Sequence, residues 1–426
     1  MTRTEPMNTR AASRRSVLIS GASIAGPALA FWLNRAGFAV TVVEKSAAPR
    51  RGGYPIDVRG TALDVVERMG ILPRLREAHI DLHRMTFLDA EGGEVASLHP
   101  HTVSGGAAGR DLEVRRGDLT DALYTAVRDD VEFMFDDSIN SLDETGHGVD
   151  VTFRSGGSRR FDMVIGADGA HSHTRRLVFG AEAPFHHYLG YCFGIFTLPN
   201  TFGLSHETVM WNTPGRAAAL YAVGATEEVH AFLNFAHPQP SFDTLAEPEA
   251  QRKLLAEVFA DAGWEVPGLL AALRDADDLF FDAVGQIRMP HWYSGRVALV
   301  GDAAYAPSFL TGQGTSLALV GAYMLAHSLT ARFGDHAEAF AAYERDTREF
   351  VTLNQSLVGK GGATLFPTTA RALEQRNARL RTLATMPAAE ARPAHSALAL
   401  PELTAAAREA TASAEVGSCG HRLLRR

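Results

Sequence analysis

The chain has 426 residues, of which 46% are hydrophobic and 21% charged, with a formal net charge of −8. At roughly 150 residues per unit this length makes two to three structural units, and the near-average composition excludes a disordered, collagen-like or coiled-coil protein. The negative charge argues against nucleic acid as a main partner, and two cysteines exclude both a disulfide scaffold and a cysteine-based zinc site.

Residues 1–14 carry Arg3, Arg10 and Arg14 and are expected to form a disordered leader. The uncharged stretch behind them holds too many spaced glycines for a signal peptide. Val17-Leu18-Ile19 reads as a buried strand, and 25–35 as a helix whose Pro27 falls in the first turn. Gly37 closes that helix, and 40–44 is a second β-branched strand. The result is a compact strand–helix–strand unit of the nucleotide-binding kind. Leu63, Val66, Met69 and Leu72 fall at helical spacing over 61–78. Segments 85–88 and 94–98 flank Glu91-Gly92-Gly93 as a hairpin. A helix is expected at 118–127, with strands at 131–135, 149–153 and 161–167.

Residues 184–240 alternate aromatic and polar positions and read as an antiparallel sheet, followed by short helices at 248–262 and 267–275. The apolar run at 296–300 returns the chain to the first unit. Helices are expected at 313–333, 337–358, 368–384 and about 402–412. The uncharged stretch 315–331 reads as a buried helix rather than a membrane span, so a cytoplasmic protein without a membrane partner is expected.

Thirty-nine glycines exceed the usual share of about 7%. Several stand where a strand runs into a turn. Gly21-Ala22-Ser23-Ile24-Ala25-Gly26 matches G-x-G-x-x-G with serine in the middle. In such a loop Gly21 permits the tight turn, the middle position lets the backbone approach a pyrophosphate, and Gly26 lets the helix pack on the strand. Phosphate then sits on free N–H groups at the helix N-terminus. Glu44, at the end of the second strand, stands where an acid accepts hydrogen bonds from a ribose and disfavours a 2′-phosphate. Two further apolar strands run into glycine–acid turns, at Gly166-Ala167-Asp168-Gly169 and at Gly301-Asp302.

With these segments the chain resembles the single-component FAD-dependent aromatic hydroxylases of the para-hydroxybenzoate hydroxylase type, including tetracycline-modifying and polyketide-tailoring members. The resemblance spans roughly residues 15–360. It implies an α/β fold: a glutathione-reductase-type FAD-binding Rossmann domain, an inserted antiparallel-sheet substrate domain, and C-terminal helices. The implied boundaries are 15–83 with 105–180 and 285–365 for the FAD-binding domain, 84–104 with 181–284 for the substrate domain, and 366–426 for the helical segment and tail. It places Gly21, Ser23 and Gly26 on the FAD pyrophosphate, and Glu44 and Lys45 on the adenosine ribose. Asp57 falls near the flavin and Arg116 contacts FAD. Asp168 and Gly169 serve both FAD and the nicotinamide cofactor, and Asp302 bonds the ribityl chain. Pro307, Gly312, Gln313 and Gly314 face the isoalloxazine ring.

Two positions depart from the family pattern: Ser23, and Thr315-Ser316 where many members have asparagine. No second G-x-G-x-x-G is present, so NADPH or NADH is expected to bind transiently, with Arg50 or Arg51 as a candidate phosphate contact. The implied reaction is hydroxylation or epoxidation of an aromatic or polyketide-like small molecule by O2 through a flavin C4a-hydroperoxide. Two alternatives remain: a flavin oxidoreductase that does not activate O2, and a non-catalytic ligand-sequestering flavoprotein. Trp211, Arg216, Tyr221 and Phe309 are candidate substrate contacts. No catalytic base is assigned and no metal site is expected. Either a monomer or a homodimer is compatible with the sequence.

Overall fold

The structure, a computed structural model, describes residues 14–49, 53–107, 109–238, 247–385 and 391–403. At its centre is a six-stranded sheet. Ser16–Ser20 pairs in parallel with both Ala39–Val43 and Met163–Gly166. The order continues outward to Glu132–Met134 on one side, and to Val297–Leu299 and Tyr293–Ser294 on the other. Val17, Leu18, Ile19, Val164, Ile165 and Leu299 are fully buried, as expected of parallel strands covered on both faces. The helices Ala25–Arg35 and Gly314–Ala331 cover one face, joined by an edge-on contact of Trp32 with Tyr323 at 5.0 Å. A three-stranded antiparallel sheet, Ser158–Phe161, Gly148–Phe153 and Ile139–Thr145, covers the other through Val149, Val151 and Phe153. Burial on all sides is why the Gly314–Ala331 helix carries no charge.

The second large sheet has seven strands, in the order Phe280–Ile287, His186–Pro199, Glu228–Ala236, Arg216–Ala222, Glu207–Thr213, Arg84–Leu88 and Glu94–Leu98. It is antiparallel except where Glu207–Thr213 meets Arg84–Leu88. One face packs Phe196, Leu220, Leu233 and Phe235 on the helices Pro248–Val258 and Val266–Asp275. The other face turns Phe193, Ile195, Ala217 and Val284 toward Leu310 and Phe366.

Several elements differ from the sequence reading. The run 161–167 is two strands, because Asp162 accepts hydrogen bonds from the Ser16 main chain (2.7 Å) and hydroxyl (2.9 Å) and ends one sheet where the other begins. The helix expected at 118–127 starts earlier, as Arg116–Thr125. The long helix expected at 337–358 is His336–Gln355, and a separate helix Val358–Leu365 follows. A two-stranded sheet of Pro55–Val58 with Leu112–Arg115 was not anticipated. The leader, apart from Arg14, falls outside the described residues, as do Arg50, Arg51 and nearly all of 402–412.

Candidate functional site

The first three motif segments end at the carboxyl edge of the parallel strands, where open α/β sheets bind ligands. Gly21 has φ +109°, and a Cβ there would stand 2.5 Å from the Ala167 carbonyl oxygen. A Cβ on Gly26 would overlap the Gly21 carbonyl oxygen. The loop is therefore shaped so closely that no side chain fits at either end. Ser23 accepts a hydrogen bond from Arg116 Nη2 at 2.9 Å. Glu44 accepts one from the Ala22 N–H at 2.8 Å and one from the Ser46 N–H at 3.0 Å. Gly21, Ser23, Gly26, Glu44 and Arg116 thus form one cluster. Lys45 is exposed beside it, on a cavity of about 330 Å³ shared with Asn140, Arg154 and His173.

Asp302 opens the short helix Asp302–Tyr305. Its carboxylate makes no hydrogen bond or ion pair among the described residues, and it is densely surrounded yet still reached by solvent. Burial pushes its pKa up, opposed by the charge of Arg116. A carboxylate left this way has acceptor oxygens with no donor among the described residues, which is unusual for a densely surrounded group.

Asp168 is engaged differently. It accepts hydrogen bonds from the Ser172 hydroxyl (2.5 Å) and from the Thr174 N–H and hydroxyl (2.9 Å each), fixing the turn after Gly169 into the helix His173–Phe179. Arg175, wholly buried, donates to the Ala170 and Ala303 carbonyls and to Glu182, so it ties the Asp168 turn to the Asp302 turn. His171 bridges Glu182 (2.8 Å) and Asp282 (3.2 Å), and these partners raise its pKa to about 10.

The turn from Pro307 to Gly314 projects between the two large sheets. The Pro307 carbonyl accepts from Gln286 Nε2 at 2.9 Å. Ser308 holds φ +75°, a strained setting for a residue with a side chain. Gln313 is fully buried; its Nε2 donates to the Gly312 carbonyl while its Oε1 has no partner. Gly314 starts the long helix, whose first N–H groups favour negative charge. Asp57 lies against this turn, 2.9 Å from where a Cβ on Gly312 would stand, and pairs with Arg59 at 2.5 Å. The Arg59 N–H donates to Ser316 Oγ at 3.1 Å, which gives the departure from asparagine a structural role. Sequence reasoning missed Arg59; its place two residues after Asp57, at the end of a strand, was the available signal.

Phe309, on the same turn, is 43% exposed and Phe280 is 37% exposed. Phe193 links them, with ring centroids 4.8 Å from Phe309 and 5.7 Å from Phe280. Phe366 at 6.1 Å from Phe309, and Tyr54 at 6.2 Å from Phe280, complete an aromatic wall that the protein leaves partly uncovered. Tyr221 is buried on the same side of the seven-stranded sheet. Trp211 and Arg216 are not brought there. Trp211 belongs to the core under the helices and donates to the Ala90 carbonyl at 3.1 Å. Arg216 pairs with Asp261 and the Val258 carbonyl.

Residues with these properties fit FAD. A loop that excludes a Cβ at Gly21 and Gly26 suits a pyrophosphate, the Asp302 carboxylate lacks donors that a ribityl chain has, and the buried Gln313 oxygen has no partner. Fold and site together define a dinucleotide-cofactor flavoprotein of glutathione-reductase type with an added substrate sheet. A family model described as an FAD binding domain matches residues 14–355, and the chain belongs to that family, that of the single-component FAD-dependent aromatic hydroxylases. It is 43% identical over 355 residues to an uncharacterised protein of Mycobacterium tuberculosis, covering 82% of this chain and 95% of that one. It is 36% identical to a flavin-dependent monooxygenase of Legionella longbeachae, over 80% of this chain and 86% of the relative. The crystal structure of tetracycline destructase Tet(55) superposes with a TM-score of 0.78 at 36% identity, covering 91% of this chain and 99% of that one. The protein is an FAD-dependent monooxygenase. Among the described residues no helix is long and apolar enough to cross a membrane.

Proposed function

We propose that the protein uses NADPH or NADH and O2 to hydroxylate or epoxidise a flat aromatic or polyketide-like small molecule held between the Pro307–Gly314 turn and the seven-stranded sheet. The observation that carries this reading is the half-exposed aromatic wall of Phe309, Phe280, Phe193, Phe366 and Tyr54. Flat rings stack on such surfaces, and apolar pockets with few polar groups suit them. The destructase name of the Tet(55) relative supports a polycyclic substrate class.

FAD, when bound, supplies the electron transfer and oxygen activation that side chains cannot. Gly21, Ser23 and Gly26 would hold its pyrophosphate, Glu44 and Lys45 its adenosine ribose, and Arg116 its negative charge. Asp302 would accept from the ribityl hydroxyls, with the Pro307, Gly312, Gln313 and Gly314 backbone beside the ring. Asp168 and Gly169 shape the floor through the turn they fix. The aromatic wall excludes water and orients the substrate.

The test is NADPH and NADH oxidation with O2 uptake by the FAD-loaded enzyme, with and without polycyclic phenols. Substrate-stimulated oxidation with incorporation of one oxygen atom supports the reading. Stimulated oxidation without oxygen incorporation would favour an oxidoreductase, and tight binding without turnover a sequestering protein.

A further inference from the structure

Glu113 is a half-buried carboxyl group on the strand Leu112–Arg115 of the small two-stranded sheet. The register of the small sheet sets Glu113 directly opposite Asp57. Residues opposed in this way have Cβ atoms about 5 Å apart on one face, and two like charges there repel. The alternate residues Ile56, Val58, Leu112 and Val114 point into the core, so Asp57 and Glu113 share the other face, toward the cleft. Asp57 touches the Gly312 turn, which places Glu113 one side chain away from it.

The groups that face Glu113 differ in kind. Asp57 is committed to Arg59 through their ion pair, and Arg59 is nearly buried. Tyr221, from the seven-stranded sheet, places a buried hydroxyl beside the Glu113 carboxyl without closing a well-formed hydrogen bond. His79 meets the Glu113 main chain, accepting from its N–H at 3.2 Å. Glu113 is thus densely surrounded, still partly reached by solvent, and free of a salt bridge among the described residues.

We propose that Glu113, assisted by Tyr221, is the base that takes the hydroxyl proton of a phenolic or enolic substrate in this pocket. The inference rests on the aromatic-substrate reading above. In the step, the substrate O–H bond breaks and an O–H bond forms on a Glu113 carboxylate oxygen. The electron pair stays on the substrate oxygen and enriches the ring carbons ortho and para to it, those that receive electrophilic oxygen. The proton leaves later to solvent along the cleft. Tyr221 keeps its own proton, since burial pushes its pKa well up, and supplies a donor to the substrate oxygen. Burial and the neighbouring Asp57 raise the Glu113 pKa to about 8, opposed by Tyr221 and Arg59. A base with that pKa is well matched to a phenol near neutral pH, and it acts in the ionised form that grows as pH rises through that value.

Two flat probes separate base catalysis from a structural role: 2-naphthol, a weak acid, and 1-nitro-2-naphthol, already ionised at mildly alkaline pH. With the FAD-loaded enzyme, Glu113→Gln is expected to lower kcat/KM for hydroxylation of 2-naphthol by about 100-fold and to erase the rising pH limb. The ionised probe is expected to lose no more than about threefold, because its proton is already gone. Glu113→Asp should keep a displaced limb, and Tyr221→Phe should reproduce the same discrimination between probes more weakly, which keeps the test open if Glu113→Gln does not fold. Equal losses with both probes, or an unchanged pH profile, would overturn the assignment while leaving the aromatic reading intact. Failure of the wild-type enzyme to oxidise either naphthol would overturn both.

Discussion

The six-stranded and seven-stranded sheets meet at one cleft but are made in opposite ways. The parallel sheet buries Val17–Ile19 and its partners on both faces and carries at its strand ends the backbone turns and acids proposed to hold FAD, such as Gly21, Glu44 and Asp302. The antiparallel sheet buries one face under helices and leaves the other, with Phe193 and Phe280, turned to the cleft. A cofactor end built from backbone geometry needs particular residues at particular spacing. The proposed substrate end, built from side-chain surface, needs only shape and apolarity, which many sequences supply.

This contrast is breakable by mutation. The largest effect is expected for Gly26→Val, whose side chain would enter the space of the Gly21 carbonyl. It should abolish FAD retention and lower the melting temperature, read by flavin absorbance after gel filtration and by calorimetry. Asp302→Ala should weaken FAD by about 30–150-fold, the worth of a charge-assisted hydrogen-bond set of about 2–3 kcal/mol, measured by FAD titration of apoprotein. Phe309→Ala should leave FAD affinity unchanged and raise the KM for a polycyclic phenol about tenfold, the effect of losing roughly 1.5 kcal/mol of aromatic contact. If FAD affinity falls equally, the two ends are not separable.

Glu44→Ala should weaken FAD by about fivefold, since a ribose contact and the hydrogen bond that Glu44 accepts from the Ala22 N–H are both lost. The smallest effect concerns His171, whose pKa is raised to about 10 between Glu182 and Asp282. A raised folded-state pKa stabilises fully below the unfolded value near 6.5 and is lost as pH rises toward 10. Because the ring is half-exposed, solvent screens most of the gain. His171→Gln should therefore lower the melting temperature by about 2 °C at pH 6 and by less at pH 10. An equal loss at both values would remove the ion pair from the account.

Legibility followed the same division. The strand at 16–20 and the helix at 25–35 were readable because an apolar run followed by glycines at fixed spacing has few other uses. The bend at Asp162 was not, because the two sheets it separates differ only in their partners. Phe309 stands beside the glycine turn in the sequence, and the structure leaves its ring 43% exposed against Phe193. Trp211 and Arg216 were misdirected by alternation, since period-2 patterning marks two faces without saying which one meets the cleft.

By itself the sequence determined a flavoprotein: G-x-S-x-x-G, Glu44, the Asp168 turn and Asp302 lie at strand ends whose local geometry is set within a few residues. Only the tertiary structure decided which aromatic residues form the wall, that Arg175 joins two turns, and that Asp57 and Glu113 stand opposite one another. Those relations depend on register and packing between segments tens to hundreds of residues apart, and no local spacing encodes them.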